Sequence, residues 1–215
     1  MEFDRTLASR RMHRHLSADP IAPEELAPIL LAFFRAPSAG FAQGAELLVL
    51  CDEDDRRLAI DSVTTPGWLD SHPSHSSLLH APVIVVPLAD SAAYTHRYSM
   101  PDKAASKLDT VDRWPLPYWL IDTAFATMLL LAKVTDSGLG ASFIGIFRGE
   151  DELSHRFNLR PTQQPIGLIF IGQIDVDDDG GSPKRIERRA PESRIHLGRV
   201  GVNFDTVLHD CIGRL

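Results

Sequence analysis

Pro165-Ile166-Gly167-Leu168-Ile169-Phe170-Ile171-Gly172 is the stretch that decides the fold, because a continuous apolar run between turn residues is typical of a strand buried on both faces. Pro82-Val83-Ile84-Val85-Val86-Pro87-Leu88 has the same character. Residues 46–50 and 141–147 are further strand candidates. Because long helical or irregular stretches separate these strands, the sequence predicts an α+β or α/β architecture with one mixed sheet and helices around it.

A first helix is predicted to start at Pro23, since a proline followed by Glu24 and Glu25 is a typical first helical turn. Pro28 lies inside this helix and removes one backbone hydrogen bond, so we expect a kink or an irregular start. The pair Ala36-Pro37 is expected to end it.

A second helix is predicted from apolar residues that share one face at helical spacing, with Gly138 as its C-terminal cap. This face consists of Ile121, Phe125, Met128, Leu129 and Ala132. The helix is apolar nearly all round, so we expect it to be central.

The segment 64–118 is rich in Ser, His, Pro and aromatic residues, and is predicted to be a lid or excursion from a single domain spanning residues 1–215. A C-terminal arm is expected at about 190–215.

Composition narrows the classes of function. The chain has 215 residues, 44% of them hydrophobic, and 22 Lys and Arg against 29 Asp and Glu give a net charge of −7. This balance argues against a nucleic-acid partner, which would favour a basic face. Cys51 and Cys211 do not form a disulfide scaffold or a CxxC site, so a reducing cytoplasm is expected. The N-terminal residues lack a signal-peptide pattern and no run approaches 18 apolar residues, so no membrane partner is expected.

Two metal-site patterns are weak. Residues 175–180 resemble the first half of an EF-hand loop, but Glu187 falls one place late for the bidentate ligand and Pro183 interrupts the second half. His72, His75 and His80 lack a carboxylate or cysteine at ligand spacing. We therefore expect no metal site.

The run Arg10-Arg11-Met12-His13-Arg14-His15-Leu16 concentrates positive charge in an acidic protein. Arginine forks suit phosphate oxygens, so the run is a candidate phosphate clamp, although such clusters are more often solvated surface.

Three segments in order resemble the FMN-dependent nitroreductase family between about residues 9 and 198. The first is the basic run just quoted, the second is Ala36-Pro37-Ser38-Ala39-Gly40-Phe41-Ala42-Gln43, and the third is the stretch 138–147 ahead of Arg188-Arg189-Ala190-Pro191. The resemblance implies an α+β fold with a mixed, mainly antiparallel sheet and an intertwined homodimer with FMN at the subunit interface.

By this resemblance, the basic run and a late arginine bind the FMN phosphate and ribityl chain, the second segment touches the flavin edge, and the third packs its backbone against the ring. The implied cofactor-binding residues are Arg10, Arg11, Met12, Arg14, Pro37, Ser38, Gln43, Ile144, Gly145 and Arg189. Met12 replaces the family's serine, and Phe41 replaces its asparagine.

The implied activity is transfer of hydride from NADH or NADPH to flavin N5 and then of electrons to a nitroaromatic, a quinone or a similar small acceptor, with no acid–base side chain as catalyst. Candidate substrate contacts are Phe41, Tyr98, Trp114 and Tyr118, although aromatic residues are equally expected at a dimer interface. Because Met12 and Phe41 both lose polar flavin contacts, a flavin-sequestering or sensing protein with little turnover is an alternative, and a deazaflavin enzyme also stays open.

Overall fold

The computed structural model describes residues 2–175, 186, 189, 194–196 and 198–201. The chain divides into two compact units, Met1–Asp179 and Gly180–Leu215, and each is described by itself. The first unit holds the helices and strands. In the second, an Arg194 guanidinium nitrogen donates to the Arg189 carbonyl at 3.1 Å.

Seven α-helices and five strands lie within residues 2–175. The helices are α1 (Phe3–Ser9), α2 (Pro23–Phe33), α3 (Glu53–Val63), α4 (Trp68–Ser71), α5 (Ser91–Ser99), α6 (Tyr118–Asp136) and α7 (Glu150–Arg156). The strands are β1 (Ala45–Leu50), β2 (Val83–Asp90), β3 (Gly140–Gly145), β4 (Gln163–Pro165) and β5 (Gly167–Gly172).

The sheet confirms the predicted α+β class. Its strand order is β1-β2-β5-β3, with β4 pairing β2, and each pairing is antiparallel. Every residue of β2 and of β5 is buried, as their unbroken apolar runs predict. The predicted strand 165–172 is interrupted at Ile166, whose N–H donates to Pro87 where β2 changes partner from β5 to β4.

Alternate residues of the central strands serve two separate cores, which explains why the runs are apolar throughout. Val83, Val85 and Ile169 pack against α2 and α6, while Ile84 and Phe170 lie in a second cluster on the opposite face. Each such aliphatic side chain contributes about 1.5–3 kcal/mol by leaving water. The sheet is thus the middle of three layers.

Helix α2 begins at Pro23 and ends before Ala36-Pro37, as predicted. Helix α2 continues through Pro28 as one uninterrupted helix. In its first turn, the N–H groups of Glu25 and Leu26 both donate to the Ala22 carbonyl.

Helix α6 ends as predicted, and the apolar face from which it was predicted is not its buried face. The Gly138 N–H donates to Thr135 and the Leu139 N–H to Val134, with Gly138 at φ 80°, which is a Schellman cap. The buried face carries smaller and polar residues among its leucines: Trp119, Asp122, Thr123, Ala126, Thr127, Leu130, Leu131 and Val134. On the predicted face, Phe125 is 52% exposed. The sheet selects the face that allows close packing, and a second apolar face is left outside.

Part of the predicted lid belongs to the core. Strand β2 is central to the sheet, and Tyr94 of α5 is completely buried in a third cluster with Trp114 and Trp119.

Candidate cofactor site

The basic run lies along the free edge of β3. The His13 N–H donates to the Ala141 carbonyl at 2.8 Å, and Leu16, only 1% exposed, bridges Ile174. These bonds attach the segment that carries Arg10, Arg11 and Arg14 to the first unit's sheet.

An open cavity of about 110 Å³ lies at the far end of β3. Ile144 and Gly145 contribute to its wall, together with Trp68, His75 and Arg148. Burial, followed by the positive charges of Arg14 and His72, lowers the pKa of His75 below its usual 6.5. Arg14 therefore lies near enough to this cavity for its charge to act on a side chain of the cavity wall.

The chemistry of this site fits FMN. Guanidinium forks suit a phosphate, and flat apolar and aromatic walls suit a ring system. The Met12 side chain is half-buried and packs against the core cluster next to α2 and α6, and it has no hydroxyl to offer a ligand.

The second predicted group, the 38–43 loop, lies just before β1. Ser38 Oγ accepts the Gln43 N–H at 3.0 Å and closes the loop on itself. A hollow of about 60 Å³ beside it is lined by Pro37, Ser38, Gln43 and Asp122, among others. Phe41 points outward with 72% of its surface exposed.

One chain does not bring these two groups together. β1 and β3 are at opposite ends of the strand order, so three strand spacings, about 14 Å, separate them. The cavity at Gly145 has no lining residue from the 38–43 loop, and the hollow at Ser38 has none from the basic run or from residues 144–145. Within one chain, the cavity at Gly145 and the hollow at Ser38 are therefore separate.

The four predicted substrate contacts differ in how exposed they are. Trp114 is only 9% exposed, donates its indole N–H to Leu108 at 2.9 Å, and has its ring 4.7 Å from that of Tyr98. Tyr118 is 36% exposed, so Phe41 is the most accessible of the four. Tyr98 lies beneath the 38–43 loop, where its Cε2 would be 2.8 Å from a Cβ on Gly40.

One residue that contacts the loop, Asp122, is missing from the predictions. The signal for it was a single carboxylate in the middle of the apolar stretch that forms α6, because a carboxylate there is rarely buried without a partner.

Arg189, the predicted far half of the phosphate clamp, is exposed and belongs to the second unit, so its place in the clamp stays a prediction. Within the described part of the chain, no three His, Cys, Asp or Glu residues form a group that could hold a metal. The calcium-loop pattern at 175–180 falls largely outside the described residues.

Helix α6 is the one described helix with the length and apolar composition of a membrane span. Its buried face, including Asp122, packs on the sheet and on α2, as a core helix does.

Comparison with known proteins agrees with this fold. Residues 7–173 match the nitroreductase family, so the chain belongs to that family and is an oxidoreductase. No match was found among the curated proteins.

Solved structures share the fold at low sequence identity. NfrA2 from B. megaterium has a TM-score of 0.74 and 16% identity, over 98% of this chain and 80% of that one. Nitroreductase CinD from Lactococcus lactis, solved with chloramphenicol, has a TM-score of 0.70 and 16% identity over 92% and 100%. An FMN-dependent nitroreductase from Clostridium difficile has a TM-score of 0.64 and 18% identity over 90% and 98%.

Proposed function

We propose that this protein is an FMN-dependent oxidoreductase that uses NADH or NADPH to reduce a nitroaromatic, a quinone or a similar small acceptor. The observation that carries this proposal is that the basic run is hydrogen-bonded along the edge of β3, the strand whose last residue, Gly145, lines the cavity. We place the enzyme in the cytoplasm, because the two cysteines do not suggest a disulfide scaffold.

Within this proposal, Arg10, Arg11 and Arg14 bind the FMN phosphate, and Arg189 completes the clamp. Several arginines offset the cost of removing a phosphate dianion from water. The backbone at Ile144 and Gly145 lies against the ring, and the Met12 backbone replaces the family's serine hydroxyl. When bound, FMN supplies the chemistry of accepting a hydride at N5 and passing electrons to the acceptor.

The proposed active form is a homodimer. In this proposal the cavity at Gly145 and the hollow at Ser38 are two half-sites of one FMN site. They lie at opposite edges of the sheet of one chain, and a two-fold axis would bring the 38–43 loop of one copy to the cavity of the other. An apolar surface is available for this contact on the outer face of α6, where Phe125, Met128 and Leu129 are exposed. Pro37, Ser38 and Gln43 then contact the flavin edge from the partner side.

The acceptor is proposed to bind against Phe41, with Tyr118 beside it. Phe41 replaces a polar family residue by an apolar wall, which favours a flat aromatic acceptor. Trp114 and Tyr98 are then supports of this wall through their ring contacts.

A flavin-sequestering protein with little turnover is the second candidate. It is favoured by the loss of two polar flavin contacts, at Met12 and at Phe41. The two candidates share the FMN site and differ only in whether a reduced nicotinamide nucleotide bleaches the bound flavin.

FMN affinity tests the shared site. Arg10→Ala and Arg189→Ala are each expected to raise the dissociation constant about 10- to 100-fold, the range for losing a hydrogen bond to a charged group. Arg57→Ala is the matched control, because this arginine is 68% exposed on α3 beside Glu53. Flavin fluorescence titration measures all three, and equal effects at the three positions would show that the assignment is wrong.

Anaerobic stopped-flow spectroscopy of the FMN-loaded protein then separates the two candidates. Bleaching of the flavin absorbance by NADPH or NADH, followed by reoxidation with a quinone, is expected for the reductase. Stable absorbance with both nucleotides would favour the sequestering protein.

A further inference from the structure

Asp122 is a buried carboxylate that joins α6 to the loop 83 residues away from it. It is 5% exposed, and its Oδ2 accepts two hydrogen bonds of 2.8 Å, one from the Tyr94 hydroxyl and one from the Ala39 N–H. Tyr94 is itself completely buried. The carboxylate therefore has a rigid partner in the core on one side and the loop backbone on the other.

A second side chain binds the backbone of the same loop one residue later. Arg97 Nε donates to the Gly40 carbonyl at 2.8 Å. The two terminal nitrogens of Arg97 donate to the two carboxylate oxygens of Asp102 at 2.8 and 2.6 Å, which fixes the plane of the guanidinium. Successive residues of the loop are thus held by a carboxylate at an N–H and by a guanidinium at a carbonyl.

The conformation that is held is a strained one. Gly40, Phe41 and Gln43 have φ values of 59°, 60° and 55°. The left-handed region is unfavourable for residues with a Cβ, and a bulky side chain such as that of Phe41 is uncommon there. Such backbone persists only where the surroundings over-determine it.

We propose that Asp122 is a positioning residue that holds the 38–43 loop in its ligand-ready conformation before any ligand binds. This inference rests on the proposed function for the identity of the ligand. Asp122 contacts neither flavin nor acceptor in this proposal and acts through Ala39. The loop then keeps Ser38 and Gln43 turned toward the flavin edge and Phe41 toward the acceptor.

Amide hydrogen exchange of the full-length chain without added FMN tests the positioning directly. The amides of Ala39, Phe41, Ala42 and Gln43 all donate hydrogen bonds in the loop, so their exchange reports its opening. Asp122→Ala is expected to accelerate this exchange about 10- to 100-fold, as for the loss of a hydrogen bond to a charged group. Asp122→Asn keeps an oxygen acceptor at the same place and is expected to retain most of the protection.

Leu130→Ala is the matched control on the same helix. Leu130 is completely buried in the core facing the sheet, so its truncation destabilises the fold without touching the loop. We expect Leu130→Ala to lower the melting temperature at least as much as Asp122→Ala while leaving exchange in the 38–43 loop at the wild-type rate. If exchange in the loop is unchanged in Asp122→Ala, or rises equally in Leu130→Ala, the positioning role is overturned.

Steady-state kinetics of the FMN-loaded variants is the second readout. Asp122→Ala is expected to raise KM for a quinone acceptor by about tenfold or more, since small misplacements at a binding site are costly, and Asp122→Asn to restore it. An unchanged KM despite faster loop exchange would overturn the ligand-ready part of the proposal. If the wild-type chain binds no FMN, the proposed function fails, while the exchange experiment still decides whether Asp122 fixes the loop.

Discussion

Truncating Phe125 tests whether the outer face of α6 is a contact between two copies. The side chain is 52% exposed in the single chain. A phenylalanine buries 150–250 Å² when covered, so about 100 Å² is available, which corresponds to about 2.5 kcal/mol per copy. In a two-fold symmetric dimer both copies lose this contribution. Phe125→Ala is therefore expected to weaken the dimer by up to about 5 kcal/mol, which is several thousandfold in the dissociation constant.

Sedimentation velocity over a dilution series measures this constant for the wild type, for Phe125→Ala and for Leu130→Ala. The leucine variant changes the inner face of the same helix and is expected to leave the association constant near the wild-type value. FMN affinity is expected to fall together with dimer content, since each proposed site needs both copies. A monomeric wild type at the highest concentration, or a Phe125→Ala dimer as tight as the wild type, would refute the reasoning.

Two further substitutions follow from particular contacts. Gly40→Ala places a Cβ 2.8 Å from Tyr98 at a φ of +59°, whereas Gly138→Ala, at φ +80°, meets nothing within 4 Å. Gly138→Ala is therefore expected to cost about 1–2 kcal/mol from backbone strain alone and Gly40→Ala about 1–3 kcal/mol more, and equal urea midpoints would contradict this. Because burial and the charge of Arg14 lower the pKa of His75 from 6.5, the unfolded chain takes up its proton first as the pH falls. The contribution of His75 to the free energy of unfolding is thus complete above about pH 6.5 and declines below it. His75→Gln is expected to remove this part of the decline, which urea titrations at pH 7.5 and 5.5 measure. Equal losses of stability in the wild type and the variant would argue against it.

The strands were the most predictable part of the fold. An unbroken apolar run such as Val83–Val86 is favourable only where both faces of a strand are covered, so its place in the middle of the sheet follows from composition alone. The face of α6 was not predictable in this way. A helix that is apolar nearly all round carries two plausible core faces, and only packing against the sheet, where Ala126 and Thr123 allow close approach, distinguishes them.

The candidate site, too, was predictable in part. The segments of the two proposed half-sites were recognisable because each is continuous in sequence. Arg10 and Arg14 belong to one segment, and Ser38 and Gln43 belong to the other. Their separation across the sheet depends on strand order, which no single segment encodes. Asp122 escaped prediction because its importance lies in a hydrogen bond to Ala39, 83 residues away.

The sequence by itself determined the buried strands, the helix boundaries at Pro23 and Gly138, and the family to which the chain belongs, because these depend on local pattern and short motifs. Only the tertiary structure decided which apolar face of α6 stays exposed, that the 38–43 loop and the cavity at Gly145 are separate within one chain, and what holds the strained loop. Those features depend on contacts between residues distant in the chain, where packing and burial override local preference.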